Sequence, residues 1–176
     1  MSSNEELEQI IKLQQINLPW AISSEEKEKE GFVTVHHDFN ILKRMNDVCP
    51  HIIAKDKDKV VAYALCMHPQ FEKEIDVLKP MFREINTIKN NVLKGEYIVM
   101  GQICVARPYR RQGLFRKLYE TMQSQLSSKF QIIITEVDSK NVRSLEAHYT
   151  IGFELLYSYQ SDGHDWQLIG LKTKNT

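Results

Sequence analysis

The segment from Glu96 to Val137 limits the fold more than any other part of the chain. Glu96–Val105 is a long β-rich run, Leu114–Ser127 sets Leu114, Leu118, Met122 and Leu126 on one helical stripe, and Gln131–Val137 is a second β-rich run. Strand, helix and strand in so short a stretch form a βαβ unit, which makes the two strands parallel and the crossover right-handed. A short helix opening at Asn141 follows, and then Phe153–Gln160 and Asp165–Lys172 flank Asp162-Gly163, a two-residue hairpin signal. A βαβ unit followed by a hairpin predicts an α/β chain.

The first half reads as scaffold. Two helix starts carry the Ser-x-x-Glu capping pattern, Ser3 with Glu6 and Ser23 with Glu26. The first opens a helix with Leu7, Ile10, Ile11 and Gln14 on one face, and the second a short polar helix leading into a strand over Gly31–His36. A helix is expected over Asp38–Asp47, closed by Cys49-Pro50. His51–Lys55 and Lys59–Met67 read as a hairpin about Asp56-Lys57-Asp58, and a helix from Pro80 turns Met81, Ile85 and Ile88 inward.

Composition excludes several classes. Across 176 residues, 23 Lys and Arg balance 23 Asp and Glu, which argues against an obligate nucleic-acid partner or a polybasic membrane adaptor. No apolar run approaches the roughly 18 residues that span a bilayer, and Met1–Glu6 lacks the basic and apolar regions of a signal peptide, so a cytoplasmic location is expected. Cys49, Cys66 and Cys104 are widely spaced without histidines at ligand spacing, so neither a disulfide framework nor a metal site is expected. The length suits one core, and the chain reads as a single domain over 1–176.

Chemistry concentrates in the turn between the first strand of the βαβ unit and its helix. Residues 107–117 hold five basic side chains and no acid, whereas residues 1–30 hold seven acids against three lysines. A helix start offers amides outside its own ladder and a partial positive charge, and Gly113 lets a bound group approach the backbone, which together suit a pyrophosphate. No P-loop and no Gly-x-Gly-x-x-Gly fingerprint is present. Taken alone, the segment also fits a solvated basic loop.

Within that turn, Arg110-Arg111-Gln112-Gly113-Leu114-Phe115 resembles the Gln/Arg-x-x-Gly-x-Gly/Ala motif of the GNAT superfamily of acyl-CoA-dependent N-acyltransferases. Ile103-x-Val105-x-x-Pro108 before it resembles the end of that family's fourth strand. Glu136-Val137-x-x-x-Asn141-x-x-Ser144 with Ile151-Gly152-Phe153 resembles its second motif. The likeness is clear over 96–172 and rests on element order alone before that.

The resemblance implies a mostly antiparallel mixed sheet, splayed between its fourth and fifth strands and flanked by helices. Residues 1–95 would form the scaffold and acceptor side, and 96–172 the half that takes acetyl-CoA. It implies that amides of Arg111, Gln112, Gly113, Leu114 and Phe115 hold the pyrophosphate, and that the backbone of Ile103, Cys104 and Val105 pairs with pantetheine. Asn141 would meet the pantetheine or thioester end, and a backbone amide near Val105 would polarise the thioester oxygen. Arg107, Arg110, Arg116 and Lys117 become candidate partners of the 3′-phosphate.

Two positions depart from the family pattern. Phe115 stands where Gly or Ala is usual, and its spacing with Tyr119 and Met122 predicts a core ring. His148 stands where a thiolate-protonating tyrosine is common, with Tyr149 one residue late. His148 lies only about 20° round the helix from Asn141, so it is expected to face the thioester as acid or donor, with Tyr149 buried. Glu136 matches the glutamate that serves as base in the ribosomal-protein alanine acetyltransferases. It interrupts an apolar strand, so it needs a partner if buried, and a structural ion pair is the alternative reading.

Cys104 reads as a buried thiol rather than a nucleophile. His36, His37, Trp20 and Phe32 fall in the region that lines the acceptor pocket in this superfamily. The expectation is therefore transfer of an acetyl group from acetyl-CoA to a primary amine, on a small molecule or peptide, by direct attack in a ternary complex, with Glu136 as base and His148 assisting thiolate departure. No metal, nucleic acid or membrane takes part, and a homodimer is compatible. The alternatives are a non-catalytic acyl-CoA-binding or regulatory protein of the same fold and an unrelated nucleotide-binding α/β protein.

Overall fold

The computed structural model describes residues 2–18, 36–93 and 95–173. The helix expected at Ser23 with Glu26, the strand over Gly31–His36 as far as residue 35, and Trp20 and Phe32 lie outside the described residues. Six strands form one mixed sheet in the order β1-β2-β3-β4-β6-β5. They are β1 (Ile52–Asp56), β2 (Lys59–Met67), β3 (Tyr97–Val105), β4 (Ile132–Asp138), β5 (Glu154–Ser161) and β6 (His164–Lys172). The described helices are α1 (Asn4–Gln15), α2 (Phe39–Val48), α3 (Lys79–Val92), α4 (Leu114–Leu126) and α5 (Val142–Thr150). β1–β2, β4–β6 and β5–β6 are antiparallel and β3–β4 is parallel, as the βαβ reading requires.

The chain groups into two compact units, Met1–Met67 with Met100–Met122, and His68–Val99 with Gln123–Thr176. The boundaries fall after Met67, within β3 after Val99 and within α4 after Met122.

In the first unit, the Ser3 hydroxyl accepts from Glu6 N–H at 3.2 Å while Ser3 N–H donates to the Glu6 carboxylate at 2.8 Å, the expected capping box. α1 buries Leu7, Ile10, Leu13 and Gln14, so Leu13 takes the inward place that spacing gave to Ile11. Asp38 caps α2, its carboxylate accepting from Asn40 and Ile41 N–H. β2 is buried from Val60 to Met67, the pattern of a strand covered on both faces.

In the second unit, α3 turns Met81, Phe82, Ile85 and Ile88 inward. β4 and β6 bring Ile133, Ile134, Leu168 and Ile169 into the core. The parallel ladder runs from Tyr97↔Ile132 to Val99↔Ile134, and both strands continue beyond it, to Val105 and Asp138. Asp162 (φ +51°) and Gly163 (φ +75°) form the β5–β6 turn with both residues left-handed, which is why Asp-Gly stands there.

Candidate active site

In the first unit, β3 ends at Val105, a single 3-10 turn covers Arg107–Tyr109, and α4 starts at Leu114. Between them the backbone passes through two left-handed residues, Arg111 (φ +63°) and Gly113 (φ +79°). A Cβ built on Gly113 would meet nothing within 4 Å, so the glycine answers to the backbone turn and leaves its surface open. The first helical bond is Lys117 N–H to Gly113 O at 3.0 Å, and the amides of the preceding turn lie outside that ladder. Arg107, Arg111, Arg116 and Lys117 are exposed around it. Exposed cations and amides outside the helix ladder are groups that a polyphosphate could use.

Arg110 behaves differently from its neighbours. Its Nε donates to Val105 O at 3.1 Å and a terminal nitrogen donates to Asn17 Oδ1 at 2.8 Å, so the guanidinium is turned inward and ties the turn to residues far apart in sequence. Tyr109 Oη donates to Asp56 at 2.7 Å, and Gln112 Nε2 to Pro108 O at 2.9 Å. Phe115 is half-buried rather than within the core, its ring edge-on to buried Tyr119 at 5.3 Å between centroids.

Ile103 and Val105 are half-buried, and Cys104 between them is buried. Burial pushes the Cys104 thiol up to about 12, against the lowering influence of Arg110 and Tyr63, so at neutral pH it is a thiol and not a nucleophile. Beneath this strand lies a buried polar chain that the sequence reading did not foresee. Gln14 Nε2 lies 3.0 Å from His37 Nδ1 and donates to Gln102 Oε1 at 2.7 Å, while Tyr63 Oη donates to the same oxygen at 2.6 Å. His37 is buried and pushed down to about 4, first by burial and then by the charge of His36, so it is neutral. His36 is exposed.

In the second unit, Glu136 is half-buried on β4 and accepts a hydrogen bond at Oε2 from Tyr159 Oη on β5. Burial raises its carboxyl to about 7, with the tyrosine bond pulling the other way. Glu136 therefore has the partner that a buried carboxylate needs, and the partner is a hydroxyl rather than a cation. Tyr159 itself is driven far up by burial and by the charge of Glu136, so it is a donor at any working pH.

Asn141 caps α5, its Oδ1 accepting from Ser144 N–H at 3.2 Å. His148 is 2% exposed, stacks edge-on to Phe153 at 5.0 Å and lies 2.7 Å from Ser144 O through Nδ1. A carbonyl accepts, so Nδ1 carries the proton in that bond and Nε2 carries the lone pair. Burial drives His148 down to about 4, so the neutral ring is its favoured form at pH 7.

Tyr149 corrects an expectation: it is 39% exposed, with Oη donating to Gln167 at 2.5 Å. The inward direction of α5 lies between Leu145 and His148, which places Tyr149 and the exposed Val142 on its flank. Among the described residues no group of three His, Cys, Asp or Glu could hold a metal, and no helix is long and apolar enough to cross a membrane.

A mixed sheet with one parallel crossover and a cationic turn before a helix are compatible with an acyl-CoA-dependent acyltransferase. Residues 8–153 match the acetyltransferase (GNAT) family, and the chain belongs to it. No curated protein matches it by sequence.

Solved structures show the same fold at low identity. The ribosomal-protein-S18-alanine N-acetyltransferase from Escherichia coli is 14% identical with a TM-score of 0.61, over 99% of this chain and 92% of that one. Ard1 from Thermoplasma volcanium is 12% identical with a TM-score of 0.66, over 99% and 95%. The protein yncA from Salmonella typhimurium, solved with its cofactor acetyl-CoA, is 12% identical with a TM-score of 0.63, over 99% and 92%.

Proposed function

We propose that this chain transfers an acetyl group from acetyl-CoA to a primary amine by direct attack, with Glu136 as the base. The observation that carries the reading is the place of Glu136, a half-buried carboxyl on β4 whose Oε2 accepts from Tyr159 Oη and which burial raises to about 7. A carboxyl raised to about 7 is half ionised near neutral pH, basic enough to take a proton from an alkylammonium and still able to release it. The turn at Arg111, Gln112, Gly113, Leu114 and Phe115 would receive the donor's pyrophosphate on backbone amides, with Arg107, Arg116 and Lys117 offering charge to its phosphates. The backbone at Ile103, Cys104 and Val105 would serve the pantetheine arm.

In the reaction, Glu136 removes one proton from the acceptor's ammonium group. The freed nitrogen forms its bond to the acetyl carbon, the carbon–sulfur bond breaks and its electron pair leaves on sulfur. The second nitrogen-bound proton, acidified in the adduct, ends on that sulfur, giving amide and free CoA thiol. His148 contributes as a neutral ring with its Nδ1 hydrogen bond satisfied, shaping the end of α5 rather than supplying a proton.

One observation favours the second reading, a non-catalytic acyl-CoA-binding protein: the family's tyrosine position holds a histidine that is neutral and buried. Isothermal titration with acetyl-CoA, followed by thiol release against a panel of primary amines, separates the two. Binding with turnover is the expected result. Binding without thiol release from any amine establishes the second reading, and no binding at millimolar acetyl-CoA overturns both.

A further inference from the structure

Glu136 and Tyr159 lie 23 positions apart on strands that do not adjoin, and their meeting depends on hairpin register. The two-residue turn at Asp162-Gly163 sets Ser161 opposite His164, and hence Tyr159 opposite Trp166. On its other side β6 sets Trp166 opposite Asp138 and Leu168 opposite Glu136. Residues in register share a face, so Tyr159 and Glu136 stand on one face of the sheet, two strands apart and one pair out of line. A one-residue slip would present Ser158 or Gln160 instead.

The register is not uniform along β5. It shifts between Leu155 and Tyr157, which leaves Leu156 as the extra residue of a bulge. Gly170 makes room for that bulge, since a Cβ there would lie 2.8 Å from Leu156 Cδ1 and 2.7 Å from Ile132 Cδ1. The bulge uncouples the face of Tyr159 from the start of β5, so the turn alone decides it.

We propose that Tyr159 is the positioning residue for Glu136, its hydroxyl holding one carboxylate oxygen so that the other faces the acceptor amine. This rests on the reading of Glu136 as base. Among the described residues, charged and titratable groups come near the pair from three packed elements and from β4 itself. Glu84 of α3, which packs on β5, acts on Tyr159. Asp138, two residues along β4, lies 2.5 Å from His164 Nδ1 of β6, and α5, which packs on β4, brings the neutral His148. None of these supplies a cation in contact with Glu136, so the tyrosine bond is the interaction that favours its ionised form.

The test is Tyr159→Phe, read first by a carbon-detected NMR titration of the Glu136 carboxyl without substrate. Its midpoint is expected to move upward from about 7 by roughly one pH unit, the loss of one hydrogen bond to a charged acceptor. The acid limb of kcat/KM is expected to follow, with activity recovering at high pH and acetyl-CoA affinity unchanged. A midpoint that stays in place overturns the proposal. A midpoint that moves while the pH-rate limb does not overturns Glu136 as base, and positioning with it. If Tyr159→Phe does not fold, 3-fluorotyrosine at 159 keeps the shape with a stronger donor, and the midpoint is then expected to move downward.

Discussion

The turn before α4 and the carboxyl on β4 are built by opposite means. The turn is local: Arg111 and Gly113 take left-handed angles, the helix start supplies amides, and every element of the feature lies within a dozen consecutive residues. The Glu136 site is non-local: its burial comes from the sheet and its partner from a strand two positions away in the sheet order. A site made of backbone survives most side-chain changes. A site made of one buried carboxyl and one hydroxyl depends on each atom, so the two should break differently.

The largest effect is expected at the carboxyl. Glu136→Gln should lower kcat/KM for the amine by about 100-fold to 1000-fold at neutral pH, in the range of a lost general base. Acetyl-CoA affinity should be unchanged by calorimetry, and the acid limb near pH 7 should vanish. Equal turnover in the variant would remove Glu136 from the reaction. Next in size is the turn, where Gly113→Val places a β-branched residue at φ +79°. No atom lies within 4 Å to clash, so the cost is conformational, about 1–2 kcal/mol. The expected result is acetyl-CoA binding weakened by about tenfold with kcat for bound substrate nearly kept; unaltered binding would show that the turn does not hold the donor.

The same contrast explains what the sequence disclosed. Capping at Ser3, the Asp162-Gly163 hairpin, the βαβ unit and the Gly113 turn are short-range patterns, and each appears where spacing puts it. Glu136 was legible as an interruption of an apolar strand, but Tyr159 was not, because pairing it with Glu136 needs two registers at once. Arg110 was read with the other cations, yet its reach to Asn17 depends on how α1 ends beside the turn. Tyr149 was placed inward by helical angle relative to Leu145, whereas the buried direction of α5 leans toward His148. Gln14 falls on the apolar face of α1, and its burial there is satisfied because Gln102 accepts from its amide nitrogen and His37 N–H donates to its oxygen.

A third test sets function against stability at Glu136. Its folded-state pKa, about 7, lies above the ordinary value of 4.5, so between those limits the folded state binds more protons than the unfolded. Stability from this group is present below pH 4.5 and lost as pH rises through 7. The folded protein thus carries an unfavourable charge at pH 8, worth about 1–3 kcal/mol. Glu136→Gln should therefore raise Tm at pH 8 and make little difference at pH 5. Loss of Tm at pH 8 would mean that the carboxylate is held by something stronger than Tyr159.

The smallest effects separate two adjacent arginines. Arg110→Ala removes bonds to Val105 O and Asn17 from a half-buried guanidinium, so stability should fall by about 1–2 kcal/mol, a Tm drop of a few degrees. Arg111 is exposed and holds a φ of +63°, which glycine adopts without penalty. Arg111→Gly should flatten the fall of acetyl-CoA affinity with salt, as expected when one cation near a polyphosphate is removed. If Arg110→Ala flattened the salt slope and Arg111→Gly did not, the inward and outward roles assigned to the two side chains would be reversed. The backbone path of the turn, which both variants leave in place, would then be the only part of it fixed by local sequence.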